Sequence, residues 1–128
     1  MGKKFLIDTN IIIYFSMNAL PEKIDNNWFC QLFLDSFQIS IITKIEFLGW
    51  QKHTQETYQK AKDLLEEATI FSLNSSIVDQ TINLRRQKNI KLPDAIIAAT
   101  SQLYDLTLVT RNEKDFIGIN NITIYNPF

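Results

Sequence analysis

Phe5-Leu6-Ile7-Asp8-Thr9-Asn10 places three apolar residues directly before a carboxylate, a hydroxyl and an amide, and the apolar run resumes at Ile11. Lys4 to Asp8 reads as a short strand buried on both faces, with Asn10 to Phe15 opening a helix at its carboxyl end. Short strands alternate with helices along the rest of the chain. Trp28, Leu32, Phe33 and Phe37 recur at helical spacing within Asp25 to Phe37, and Gln38 to Ile42 follows as a second strand with a strand-to-helix junction at Thr43. Thr54 to Ala68 is a polar surface helix, and Thr69 to Leu73 a third strand. Asn74-Ser75 starts a helix that runs to about Lys88, and Pro93 starts another that runs to about Tyr104. Thr107 to Thr110 and Ile122 to Tyr125 supply the last two strands. This alternation predicts an α/β fold, a mostly parallel sheet of about five strands with helices on both faces.

Ligands in such sheets bind beyond the carboxyl ends of the strands, where the strand order reverses. Asp8 stands at one such end, Glu46 just past another, and Asp115 a short loop past a third. Asp94 opens the Pro93 helix and reaches the same edge if that helix is antiparallel to the others or begins there. Each acid has a structural explanation by itself. Asp8 suits an N-cap, Thr43-Lys44-Ile45-Glu46 fits a capping box, Asp94 in a first turn meets a helix dipole favourably, and Asn112 to Asp115 repeats the capping spacing. Joint placement favours a shared role, because Asp8 follows an apolar strand and Asp94 sits before Ala95-Ile96-Ile97-Ala98-Ala99. Carboxylates deprived of water rise in pKa unless a cation relieves them, and Mg²⁺ or Mn²⁺ suits an all-oxygen site.

The chain has 128 residues, 45% of them hydrophobic, enough for one compact core, so 1–128 is expected to be one domain. Thirteen Lys and Arg against fourteen Asp and Glu give no global basic field, so a surface for a polyanion must be a local patch. The single cysteine, Cys30, excludes an internal disulfide and a thiolate zinc site, and its apolar neighbours make it a small core residue. His53, the only histidine, lies in a polar run and is expected at the surface, so paired-imidazole chemistry is excluded. The glycines are Gly2, Gly49 and Gly118, too few and too scattered for a Walker loop or a dinucleotide fingerprint. Asp8 and Asn10 interrupt the apolar run that a signal peptide or membrane span needs, and Leu6 replaces the hydroxyl of a myristoylation signal; a soluble, cytoplasmic protein without membrane contact is expected.

Ile7-Asp8-Thr9-Asn10-Ile11, Ile42-Thr43-Lys44-Ile45-Glu46-Phe47, Leu92-Pro93-Asp94-Ala95-Ile96-Ile97-Ala98-Ala99-Thr100, and Leu108-Val109-Thr110-Arg111-Asn112 with Asp115-Phe116 resemble, in order, the successive motifs of PIN-domain proteins. The nearest resemblance is to the small VapC-type toxins of type II toxin-antitoxin pairs. It implies a PIN-like sandwich and a Mg²⁺- or Mn²⁺-dependent endoribonuclease, in which metal-activated water attacks a phosphodiester in line. Asp8 and Asp94 then correspond to the main metal ligands, Glu46 to a ligand or the orienter of the water, and Asp115 to the more variable fourth acid. Asn10 and Thr110 resemble positions that hold those carboxylates in place. The resemblance also implies an RNA substrate, a small cognate antitoxin protein that blocks the acidic groove with an Arg or Lys, and a homodimer.

Lys44, Lys91 and Arg111 adjoin the acidic motifs and are candidates for contacting substrate phosphates, Arg85, Arg86 and Lys88 lie on one predicted helix, and the plainer reading of all six is an ordinary solvated face. Trp28, Phe29 and Trp50 supply aromatics for an interface or, more simply, for the core. Two rival functions remain. A phosphatase with Asp8 as nucleophile wants a second Asp two residues on, where this chain has Asn10. The other is a PIN-shaped module that binds RNA or a partner without catalysis; four intact acids count against it, and a metal-dependent nuclease assay separates the two.

Overall fold

The computed structural model describes residues 4–128. Its elements are β1 (Phe5–Ile7), α1 (Thr9–Ser16), α2 (Asn26–Asp35), β2 (Gln38–Ser40), α3 (Ile41–Leu48), α4 (Gln55–Leu65), β3 (Thr69–Phe71), α5 (Ser75–Gln87), α6 (Leu92–Leu103), β4 (Thr107–Val109), a 3₁₀ turn (Glu113–Phe116) and β5 (Thr123–Tyr125). The mixed α/β architecture and the parallel pairing agree with the sequence reading.

The five strands form two parallel ladders, β1-β4-β5 and β2-β3. They meet between β1 and β2, where side chains replace the backbone ladder: Phe5 N donates to Ser36 Oγ at 2.9 Å, and Gln38 Nε2 donates to the Phe5 carbonyl at 3.2 Å. β1 therefore has β4 on one side and β2 on the other, so the reversal of strand order falls beside β1.

Successive residues of a strand point to opposite faces, and here they enter two different cores. Ile7 and Val109 join Ile11, Ile12, Phe29, Phe47 and Leu65, drawn from α1 to α4. Leu6 and Leu108 join Ile77, Leu84, Ile96 and Ile97 from α5 and α6, together with Phe116. Helices thus cover both faces, which explains why the buried positions of β1 and β4 are all apolar. Leu6 and Leu108 are fully buried, and truncating either to Ala would cost about 2 to 5 kcal/mol.

Several local expectations change. The second strand stops at Ser40, whose hydroxyl accepts from Ile42 N at 3.1 Å and caps α3, so the helix begins two residues before Thr43. Thr43 lies inside the first turn and is fully buried, and the predicted Thr43–Glu46 capping box does not form. Cys30 is exposed on α2 and is not a core residue. His53 is half-buried, with Nε2 2.8 Å from the Phe47 carbonyl and Nδ1 3.0 Å from Thr57 Oγ1, and it ties the α3–α4 loop together. Phe29 is buried, and the half-buried Trp28 packs edge-on against Phe5 and Phe29. Among the described residues no helix is long and apolar enough to cross a membrane.

Candidate active site

Asp8 is the best-held of the candidate acids. Its backbone N donates to the Val109 carbonyl at 3.0 Å, one step beyond the β1–β4 register, while its side chain turns to cap α1 by accepting from Thr9 N at 2.8 Å. The other carboxylate oxygen accepts from Thr110 Oγ1 at 2.7 Å in a buried contact. Thr110 is itself placed by its N–H to the Tyr125 carbonyl at 3.1 Å, and its hydroxyl accepts from Asn112 N at 3.0 Å. Two adjacent strand ends thus fix one carboxylate from both sides. The N-cap explanation and the shared-site explanation are both true of Asp8.

Glu46 lies on the exposed side of α3, and its Oε1 accepts from Thr9 Oγ1 at 2.6 Å. The buried Thr43 hydroxyl is 3.2 Å from that of Thr9, whose single proton is already given to Glu46, so Thr43 supplies the proton between them. The chain Thr43–Thr9–Glu46 links α3 to the residue after Asp8. Thr9 was missed in the sequence reading, although its place beside Asp8 after a strand was the available signal.

Asp94 occupies the first turn of α6, which has Lys91 at its N-cap and Pro93 at its start. Three residues separate α6 from β4, and Leu106 N donates back to the Ser101 carbonyl at 2.9 Å. The helix therefore runs back along β4 and brings its amino end to the carboxyl edge of the sheet, as the Asp94 placement required. Asp115 lies in the 3₁₀ turn after β4.

Electrostatics show that the acids feel one another. Burial pushes Asp8 up to about 6 against the lowering effect of Thr110 and Thr9, and the charges of Asp94 and Glu46 push it further. Asp94 is also raised, first by burial and then by Asp115 and Glu46, while Lys91 opposes the rise. Among the described residues the one ion pair is Lys60–Glu56 at 3.3 Å, so none of the four acids has a salt-bridge partner there. Nor, among those residues, do three or more Asp, Glu, His or Cys side chains stand close enough to hold one metal ion together. Carboxylates that repel one another rest apart. What fits a divalent cation is the chemistry of the set, all-oxygen and without a salt-bridge partner among the described residues, but with no preformed ligand sphere.

The flanking candidates divide. Thr110 holds a carboxylate as expected, but Asn10 does not: its Oδ1 accepts from Arg111 N at 3.5 Å and steadies the loop after β4. Arg111 has its guanidinium 5.1 Å from the Tyr14 ring centre and 5.0 Å from that of Phe128, and it donates to the Tyr14 hydroxyl. That stacked position engages the head group beside the site. Lys44 is exposed on α3, and Lys91 is exposed with its charge acting on Asp94.

The model of the PIN domain family matches residues 5–120. Among solved structures, a toxin-antitoxin complex from Klebsiella pneumoniae contains a chain 33% identical, with 98% of each chain covered and a TM-score of 0.75. VapBC2 from Rickettsia felis, bound to a DNA fragment of its promoter, matches at 26% identity over 95% of this chain and 97% of that one, TM-score 0.78. DNA-bound VapBC from Salmonella typhimurium shares the fold at 21% identity over 99% and 100%, TM-score 0.79. No curated protein matches the sequence.

Proposed function

The chain belongs to the PIN-domain family, and within it we propose that it is a VapC-type toxin, an endoribonuclease that depends on Mg²⁺ or Mn²⁺. The observation that carries this reading is Asp8: a buried carboxylate, raised in pKa, pinned by Thr110 and Thr9 and facing the charges of Asp94 and Glu46. A fold that keeps such a group at a sheet's carboxyl edge maintains a costly arrangement, and cation binding gives it a use.

Asp8, Asp94, Glu46 and Asp115 would hold the ion. When bound, the cation supplies Lewis-acid chemistry, lowering the pKa of water and offsetting charge that builds on the phosphoryl oxygens. The chain's own groups do the positioning. Thr110 and Thr9 N set the direction of the Asp8 lone pairs, and Thr9 Oγ1 fixes one oxygen of Glu46 so that the other is free to orient the attacking water. Lys91, whose charge acts on Asp94, and Lys44 on α3 are the candidate cations for the phosphates of the RNA.

Its partner is a small antitoxin protein that places an Arg or Lys among the carboxylates, and the toxin acts as a homodimer. The toxin-antitoxin complexes among the similar structures support the antitoxin part. The test is cleavage of a panel of tRNAs and rRNA fragments with Mg²⁺, Mn²⁺ or EDTA. Cleavage that needs the cation and is lost in both Asp8→Asn and Asp94→Asn is expected. Cleavage that persists in EDTA refutes the metal dependence, and no cleavage by a folded wild type refutes the nuclease and leaves the binding module.

A further inference from the structure

A cleft of ≈ 430 Å³ lies between the carboxyl half of α5, α6 and the loop Gly118–Asn121. Leu84 and Ile119 give it an apolar floor, while Gln80, Gln87, Gln102 and Asn120 bring amides to its wall and Lys88 is the one charged residue lining it. Lys88 is half-buried, so the solvated face expected for it is incorrect. Its Nζ lies where a Cβ on Gly118 would be 2.7 Å away, and Gly118 has φ +83°, a conformation that favours glycine. The absence of a side chain at 118 lets the ammonium lie into the cleft.

Two of the amides are ordered together. Gln80 Nε2 donates to Gln102 Oε1 at 2.8 Å, and Gln102 Nε2 donates to the Asn120 carbonyl at 2.7 Å, which fixes the orientation of the Gln102 amide. Gln87 and the Asn120 side chain make no hydrogen bond among the described residues, so both keep donor and acceptor capacity facing solvent. An apolar floor, edge-on amides of both polarities and a lone cation match the needs of an unpaired nucleobase with its phosphate: the ring face rests on aliphatic carbon, amides read the base edge, and the ammonium meets the phosphate. A volume of this size is typical of small-ligand sites.

The cleft also adjoins the acids along the chain. Gly118 follows Asp115 by three residues, at most about 11 Å of chain, and Lys88 precedes Lys91, the N-cap of the Asp94 helix, by the same count. We propose that this cleft is a base-reading subsite for single-stranded RNA, holding a nucleotide close to the one cut at the acidic site. It rests on the nuclease reading for its place in the reaction, but its binding is measurable without cleavage.

The experiment is fluorescence anisotropy of labelled oligo-A, oligo-C, oligo-G and oligo-U RNA in EDTA, with wild type, Gln87→Ala, Asn120→Ala and Lys88→Ala, each checked for unchanged melting. Wild type should prefer one homopolymer, and Gln87→Ala or Asn120→Ala should weaken that one by about fivefold or more and flatten the preference. Lys88→Ala should weaken all four alike and reduce the salt slope by about 0.7. Equal binding of the four homopolymers by wild type, or an unchanged preference in both amide variants, overturns the subsite. A protein that shows the expected pattern but cuts no RNA refutes the nuclease and keeps the subsite; one that cuts RNA with its preference unchanged in both amide variants does the reverse.

Discussion

Replacing Asp8 with Asn should stabilise the metal-free protein while removing its activity. In the folded chain Asp8 titrates at about 6 against 3.8 for the unfolded residue, chiefly because it is buried. Between those values the folded state binds more protons than the unfolded one, so stability falls as pH rises, by about 1.4 kcal/mol per pH unit. The stabilisation from a protonated Asp8 is complete below 3.8 and lost above about 6, leaving a deficit of about 3 kcal/mol at neutral pH. Asn is neutral throughout, and its Oδ1 still accepts from Thr9 N while Thr110 reorients to accept from Nδ2. The variant should therefore gain about 1 to 3 kcal/mol at pH 8, roughly 4 °C of melting temperature per kcal/mol for a chain of this size. The assay is thermal melting of wild type and Asp8→Asn in EDTA from pH 4 to 8. Their difference should open from pH 4 to about 6 and then stay constant. A difference independent of pH, or a variant that melts lower at pH 8, would refute the buried-charge account and favour Asp8 as merely a good N-cap.

Saturating Mn²⁺ at a hundred times its dissociation constant should raise wild-type stability by about 2.7 kcal/mol and that of Asp94→Asn much less; calorimetric melts with and without the ion decide this. Thr110→Val removes the hydroxyl that holds Asp8, so cleavage should fall by about 10- to 100-fold and Asp8 should titrate higher still, visible as a shifted pH dependence of melting. Ser40→Ala should cost about 0.5 to 2 kcal/mol as the lost cap of α3, with cleavage intact in the folded fraction. Glu46→Gln, by contrast, should leave the stability within about 0.5 kcal/mol of wild type and abolish cleavage, since no capping box depends on it.

The layered α/β fold was legible because short strand-like runs alternate with segments of helical spacing, and residues able to cap a helix stand between them. Asp8 after Phe5-Leu6-Ile7 and Asn74 before α5 both act as the caps their residue types suggest. At α3 that reading slipped, because Ile41 and Ile42 are β-branched and look like strand; the Ser40 hydroxyl overrides the propensity by satisfying an N–H at the helix start. Cys30 was misplaced for a different reason. Successive residues of a helix are turned by about 100°, so Trp28, Phe29 and Phe33 can pack inward while Cys30, on the far side of Phe29, points out. The Thr43–Thr9–Glu46 chain and the Arg111–Tyr14–Phe128 stack are closed by contacts between residues 17 or more apart in sequence, and no local pattern announces such contacts.

The four acids differ in how firmly the fold holds them, and that difference suits a site assembled around an ion. Asp8 is fixed by two strand ends and a helix start, and Glu46 by one hydroxyl, whereas Asp94 and Asp115 accept no side-chain hydrogen bond among the described residues. A rigid set with this much like charge would hold all of its repulsion permanently in the ion-free protein; a set with one fixed member lets the others move away until a cation draws them in. The cost of the ion-free state then falls mainly on Asp8, the carboxylate with the highest burial and the best hydrogen bonds to bear it. Under the proposed function, affinity for the ion would be reduced by the work of gathering Asp94 and Asp115, a loss that an RNA phosphate bound beside it would offset. On this argument metal and RNA bind with positive cooperativity, and Mn²⁺ should tighten as non-cleavable RNA is added, by the same factor that Mn²⁺ tightens the RNA.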